Sequence, residues 1–187
     1  MAAKSNLTNM VLCLTAVCLV CSALLGGMYA LTKEPIDKAN AEILKASIGA
    51  VLPEGGELSE AIPVEVGGQP SEYYVSKDGD EVKAYAFKST TVGFGGPLTL
   101  MVGITPDGTV YNTSVLSHTE TPGLGAKCTS DEHFYTQFKG FDPSAKILSV
   151  KKDGGDVDAI TASTITSRAY SLAVKNAVEA FNTIKGE

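Results

Sequence analysis

Leu98-Thr99-Leu100-Met101-Val102-Gly103-Ile104-Thr105-Pro106-Asp107-Gly108-Thr109-Val110-Tyr111-Asn112-Thr113-Ser114-Val115-Leu116 reads as two strands around a turn. Leu98 to Ile104 and Val110 to Leu116 are rich in aliphatic and β-branched side chains, and Pro106-Asp107-Gly108 supplies the turn chemistry between them. The pattern recurs upstream, where Tyr73 to Ser76 and Val82 to Lys88 flank Asp78-Gly79, a hairpin signal. Downstream, Ile147 to Lys151 and Val157 to Ile160 flank Asp153-Gly154-Gly155 and predict a third hairpin. A helical stretch near Asp131 to Phe138 interrupts the strands. The last element is a helix from Thr166 to about Ile184, with Ala169, Leu172, Ala173, Ala177, Ala180, Phe181 and Ile184 at helical spacing. Strands with segregated helices predict an α+β domain.

The N-terminal part follows different rules. Met10 to Leu31 holds no charged residue and is long enough to cross the hydrocarbon core as a helix. A cleaved signal peptide would have a shorter apolar core ending at a small-x-small site, whereas Leu24-Leu25-Gly26-Gly27-Met28 carries this run past its small residues. A retained anchor is therefore expected. Lys4 and the α-amino group favour a cytoplasmic N-terminus, against Lys33 and Lys38 on the other side. Pro35 suits the first turn of a second helix reaching about Val51, which Pro53 and Gly55-Gly56 end. Glu57 to Pro70 has no clear reading. The expected organisation is a tail (1–9), a transmembrane helix (10–31), a juxtamembrane helix and connector (32–70) and one folded domain (71–187).

Composition narrows the function. The 187 residues carry 15 Lys+Arg against 21 Asp+Glu, a net charge of −6 that argues against nucleic acid. Of four cysteines, Cys13, Cys18 and Cys21 lie in the apolar run, leaving Cys128 alone in the domain and no internal disulfide framework. No metal-ligand spacing is present.

Three segments are more particular than a scaffold requires. Gly93-Phe94-Gly95-Gly96-Pro97 lets backbone approach a ligand or another chain closely, though an ordinary loop would read the same way. In Ser117-His118-Thr119-Glu120-Thr121-Pro122-Gly123-Leu124-Gly125, Pro122-Gly123 fits the centre of a type II turn, with Gly123 at positive φ. Such a loop can press Leu124 and backbone N–H groups onto a flat ring. His118 and Glu120 suggest acid–base chemistry, but hydrogen bonds bracing the loop explain them better. The third segment, Asp158-Ala159-Ile160-Thr161-Ala162-Ser163-Thr164-Ile165-Thr166-Ser167-Arg168, crowds hydroxyls at a helix start, where one would suffice as a cap. Arg168 in the first turn opposes the helix dipole; a phosphate at that N-terminus would suit both, and an exposed arginine would equally explain it.

Taken together, the segments resemble the G subunit of the Rnf complex, an ion-translocating ferredoxin:NAD oxidoreductase of bacterial membranes. They are similar, less closely, to the C subunit of the sodium-pumping NADH:quinone reductase. The resemblance covers nearly the whole chain: the anchor with Leu31-Thr32-Lys33-Glu34-Pro35-Ile36, Gly95-Gly96-Pro97-Leu98, His118 to Gly125, Phe138-Lys139-Gly140 and the terminal threonine motif. The family carries FMN as a phosphoester on a threonine, attached by a dedicated flavin transferase after export. Its pattern (Asp, two residues, Ser or Thr, Gly, Ala, Thr) falls on Asp158, Thr161, Ala162, Ser163 and Thr164. The resemblance thus implies covalent FMN on Thr164, with Glu120, Thr121 and Leu124 against the flavin; Gly123 would shape that loop and Arg168 would face the phosphate. Ala162 stands where glycine is usual and Ser163 where alanine is usual. The implied protein is a single-pass flavoprotein of the cytoplasmic membrane, its FMN domain on the extracytoplasmic side. It would be a phosphoprotein by virtue of the ester, and would relay electrons among the subunits of a redox-driven translocase without a catalytic residue of its own. The alternatives are the quinone-reductase C subunit and a membrane-tethered binding domain with no redox role.

Overall fold

The computed structural model describes residues 6–186. Most of the expected N-terminal tail, with Lys4, lies outside them.

Helix α1 runs without interruption from Leu7 to Val51 and contains Pro35. A second helix starting at Pro35 is therefore not found. Proline removes one backbone donor, but Lys33 and Glu34 before it and Lys38 after it are good helix formers, and the helix continues through it. Its apolar part is long enough to cross a membrane, and none of that stretch is buried. Two compact units divide the chain, Met1–Ile43 and Leu44–Glu187. The last turns of α1 thus belong to the second unit.

That unit is built on an antiparallel sheet of β1 (Glu57–Leu58), β2 (Ile62–Val66), β3 (Gln69–Asp78), β4 (Glu81–Val92), β5 (Pro97–Ile104) and β6 (Val110–His118). The order is β1-β3-β4-β5-β6, with β2 also pairing with β3. The hairpins at Asp78-Gly79 and Pro106-Asp107-Gly108 form as the sequence predicts. Residues 57–70, which had no clear reading, supply β1, β2 and the turn into β3.

Strand β5 is buried on both faces. Leu98, Leu100, Val102 and Ile104 join the core that contains α3 (Thr164–Gly186), whereas Met101 packs with Ile48, Val51 and Leu52 from the end of α1. The domain is α+β as expected, with helices on both faces of its antiparallel sheet. Gly103 explains the close approach of α1: a side chain there would collide with the Val51 carbonyl. Opposite it, α3 turns Ala169, Ala173, Ala177 and Ala180 toward the sheet, and Tyr170 is fully buried with its hydroxyl 2.8 Å from Thr113 Oγ1.

The third predicted hairpin does not form. A 3₁₀ turn occupies Lys151–Asp153, and Val150 and Val157 make a single parallel bridge. Leu148, Val150, Val157 and Ile160 are buried as strand residues would be, but they anchor a compact loop. Gly155 lies so close to Ser149 that a side chain would strike the Ser149 carbonyl, and the chain doubles back too tightly for a ladder. Between β6 and this loop lie a 3₁₀ turn at Gly125–Thr129, α2 (Glu132–Tyr135) and a 3₁₀ turn at Thr136–Phe138.

Candidate functional site: a cleft at the start of the last helix

Three separate segments converge on one buried carboxylate. The pairing of β5 with β6 shifts register between Thr99 and Leu100, so that Leu98 opposes His118 and the following residues turn toward the β4–β5 loop. Glu120 is only 6% exposed. Its Oε1 accepts the N–H groups of Phe94 (2.8 Å) and Gly95 (3.4 Å), and its Oε2 accepts the Thr166 hydroxyl (2.8 Å). Its own N–H donates to His118 Nδ1 at 3.2 Å. Both oxygens are engaged and His118 faces the backbone, so the pair braces the loop. The surrounding glycines are required by space: side chains at Gly93 or Gly125 would run into the Glu120 carboxylate, and one at Gly95 into the Thr119 carbonyl.

Gly123 is needed for a different reason. The Leu124 N–H donates to the Thr121 carbonyl at 3.2 Å, closing a turn in which Gly123 has φ +76°. That is the type II geometry expected of Pro122-Gly123. A Cβ at Gly123 would meet nothing within 4 Å, so the requirement is one of backbone angle alone.

The start of α3 has its own turn. The Ser163 N–H donates to the Ile160 carbonyl at 3.0 Å, and Ala162, third in this turn, has φ +62°. It is the one non-glycine with positive φ among the described residues. Ser167 then locks the junction, its hydroxyl donating to the Ser163 carbonyl (3.0 Å) and accepting the Ile160 N–H (2.9 Å). Thr164 is the first residue of α3 and is half-buried. Among the described hydrogen bonds none takes the N–H of Thr164, Ile165 or Thr166. These are the donors that an α-helix leaves free at its N-terminus. The hydroxyl of Ser163, just before them, is buried without a partner.

Between these segments lies a cleft of ≈ 320 Å³, within the range of small-molecule sites. Phe94, Leu124 and Ile165 give it apolar walls; Glu120, Thr121, Gly125, Ala162, Ser163, Thr164 and Thr166 complete it. Behind it Cys128 is fully buried. Burial first, and then the negative charge of Glu120, push its thiol up to about 11, which makes it inert at neutral pH.

The structure brings together Glu120, Thr121, Leu124, Ser163 and Thr164 of the expected site. Gly123 shapes the loop without lining the cleft. Asp158 lies elsewhere: its carboxylate accepts Lys151 Nζ at 2.7 Å and its backbone N–H donates to Gln137 Oε1 at 2.7 Å, tying the α2 region to the approach to α3. Thr161 is exposed on the turn. Arg168 is not at the cleft. Its Nε and one terminal nitrogen donate to the two Asp153 oxygens, both at 2.6 Å, which holds the Asp153 carboxyl below its ordinary range. The dipole conflict at Arg168 is thus met by a carboxylate of the protein. Phe94, Ile165 and Thr166 were not expected as wall residues. The glycines around Phe94 and the hydroxyl-rich run holding Ile165 and Thr166 were the sequence signals for them, but the contact between Glu120 and Thr166, 46 positions apart, leaves no local trace.

The family described as FMN-binding domain matches residues 93–179, which take in all three converging segments. The chain is 32% identical to the G subunit of the proton-translocating ferredoxin:NAD(+) oxidoreductase complex of Clostridium ljungdahlii, over 92% of this chain and 90% of that one. It is 32% identical to the G subunit of the ion-translocating oxidoreductase complex of Methanosarcina acetivorans, over 96% of each. The chain belongs to this family of G subunits. A crystal structure of Shewanella oneidensis NqrC aligns with a TM-score of 0.49 at 24% identity, covering 63% of this chain and 62% of that one.

Proposed function

We propose that this chain is the membrane-anchored electron-transfer subunit of an ion-translocating oxidoreductase complex, carrying FMN as a phosphoester on Thr164. The observation that carries the reading is the placement of Thr164: it opens α3, lines the cleft, and stands beside three unclaimed backbone donors. Those donors and the positive end of the helix dipole favour a phosphate there. Phe94, Leu124 and Ile165 offer the apolar contacts that a flat ring system needs. FMN, when bound, supplies the one-electron chemistry. The protein's part is to hold and shield it: Glu120 ties the β4–β5 loop and α3 together, and the Thr121–Leu124 turn sets the position of the Leu124 wall. No cleft side chain need act as an acid or nucleophile. The other subunits of the complex and a flavin transferase are the expected partners, and the domain lies on the extracytoplasmic side.

Co-expression with a flavin transferase, followed by denaturing electrophoresis under ultraviolet light, tests the attachment. Wild type should fluoresce and Thr164→Val should not. Tandem mass spectrometry of the wild-type flavopeptide separates Thr164 from Thr161, which is itself part of the motif, and from Thr166, whose replacement would disturb the bond to Glu120. Fluorescence retained by Thr164→Val, or absent from wild type, rules the attachment out. An alkaline phosphatase fusion after Glu187 reports the side of the membrane and should be active.

A further inference from the structure

Ser163 stands immediately before α3, and its carbonyl accepts the first bond of the helix, from the Ser167 N–H at 3.0 Å. A serine in that place ordinarily turns its hydroxyl to accept the N–H of the second or third helical residue. Ser163 does not. Its hydroxyl is buried without a partner, although the N–H groups of Ile165 and Thr166 are unclaimed among the described hydrogen bonds. The backbone around it is fixed: its N–H donates to the Ile160 carbonyl, and its carbonyl also accepts the Ser167 hydroxyl. A buried hydroxyl left unpaired lowers stability, so its place in the molecule needs a reason.

The cleft supplies one. Ser163 is only 7% exposed and lines the cleft. Among the described residues, four hydroxyl side chains do so, and the other three are accounted for. Thr166 donates to Glu120, Thr164 holds the proposed ester oxygen, and Thr121 is exposed to solvent. No lysine or arginine is among the described lining residues, and Arg168, in the first turn of α3, is paired with Asp153. The one charged side chain lining the cleft is Glu120, whose oxygens are both engaged. A phosphate held here therefore depends on neutral donors: the N–H groups at the start of the helix and an uncommitted hydroxyl. We infer that the Ser163 hydroxyl donates to a non-ester oxygen of the flavin phosphate, making the start of α3 a phosphomonoester-recognition site that works before any bond to Thr164 exists. This rests on the FMN reading proposed above and deepens it, since it makes the cleft select FMN over a flavin without phosphate. Ser163 is a positioning residue and not a second attachment point, because its oxygen is sealed from solvent whereas Thr164 is half-buried.

The test uses the full-length chain produced without the flavin transferase and titrated with FMN and with riboflavin, which lacks the phosphate. Wild type should bind FMN more tightly than riboflavin. Ser163→Ala should weaken FMN binding about tenfold, equivalent to about 1.4 kcal/mol, and leave riboflavin binding unchanged. The unliganded Ser163→Ala chain should unfold no earlier than wild type, because an unpaired buried hydroxyl has been removed. Ser89 of β4, another buried hydroxyl without a partner, lies outside the cleft and is the control: Ser89→Ala should leave FMN affinity as it is. FMN bound no more tightly than riboflavin by wild type, unchanged FMN affinity in Ser163→Ala, or an equal loss for both flavins overturns the proposal. A lower unfolding midpoint of the unliganded Ser163→Ala chain also overturns it, by marking Ser163 as an ordinary helix cap. Co-expression with the flavin transferase is read separately. Absence of covalent flavin from wild type would refute the ester on Thr164 and leave the titrations standing, and a failed titration would leave the ester standing.

Discussion

Two carboxylates lie near the start of α3, and they do different work. Glu120 is buried and accepts two backbone N–H groups and the Thr166 hydroxyl, joining segments distant in sequence. Asp153 makes the shorter bonds, a two-pronged pair with Arg168 at 2.6 Å, but on the exposed surface. A surface ion pair exchanges one well-solvated state for another and contributes little. A buried carboxylate whose partners have no other acceptor cannot be removed without leaving them unsatisfied. Location, more than geometry, decides which of the two holds the site.

The largest effect that would sharpen this contrast is that of Glu120→Ala. It should destabilise the domain by about 2–4 kcal/mol in denaturant unfolding, because it strands several donors at once. An effect no larger than that of Asp153→Asn would break the comparison. Next comes the alkaline limb. The Cys128 thiol has its folded value raised from 9.0 to about 11. Below pH 9 both states keep the proton; between about 9 and 11 the unfolded chain releases it first, so stability falls as pH rises through that window. The loss amounts to roughly 3 kcal/mol if the whole shift is expressed. Cys128→Ala should flatten this limb in unfolding curves taken across the window, and an unchanged slope would remove Cys128 from the account.

Ala162→Gly has a smaller effect of opposite sign. Relief of the left-handed conformation, less the greater chain entropy of glycine, should stabilise by about 0.5–1 kcal/mol. If the strained turn also limits presentation of Thr164, the fraction of chains carrying covalent flavin should rise in the same variant, read by in-gel fluorescence. Asp153→Asn should change least, with a midpoint at neutral pH close to wild type. The pair with Arg168 depresses the Asp153 carboxyl, so what stability it lends is present above the ordinary carboxylate range and lost as pH falls through the depressed value. Only the acid limb of the variant should differ.

Much of the site could be read along the chain. Pro122-Gly123 encodes its turn locally, and Gly123 takes the positive φ that the turn requires. The hydroxyl-rich run marked the start of α3, and the helix begins at Thr164, two residues before the expected start. Arg168 shows the limit. Its position in the first turn invited a phosphate, and a carboxylate 15 residues away in sequence took that place. The Asp153-Gly154-Gly155 signal was a genuine turn, but the flanking apolar runs pack into the core as loop anchors without pairing as a hairpin. Short apolar runs do not by themselves distinguish these outcomes.

Local sequence was enough to specify the apolar N-terminal helix, the β3–β4 and β5–β6 hairpins, the long final helix and the residue types of the candidate site. Each of these rests on interactions within a few residues: side-chain periodicity, turn angles and helix-end chemistry. It took the packed fold to make Glu120 brace Phe94, Gly95 and Thr166, to hold Ala162 at φ +62°, and to pair Arg168 with Asp153. Those outcomes depend on which distant groups the sheet and α3 bring within hydrogen-bond reach, and on how little space or solvent remains between them.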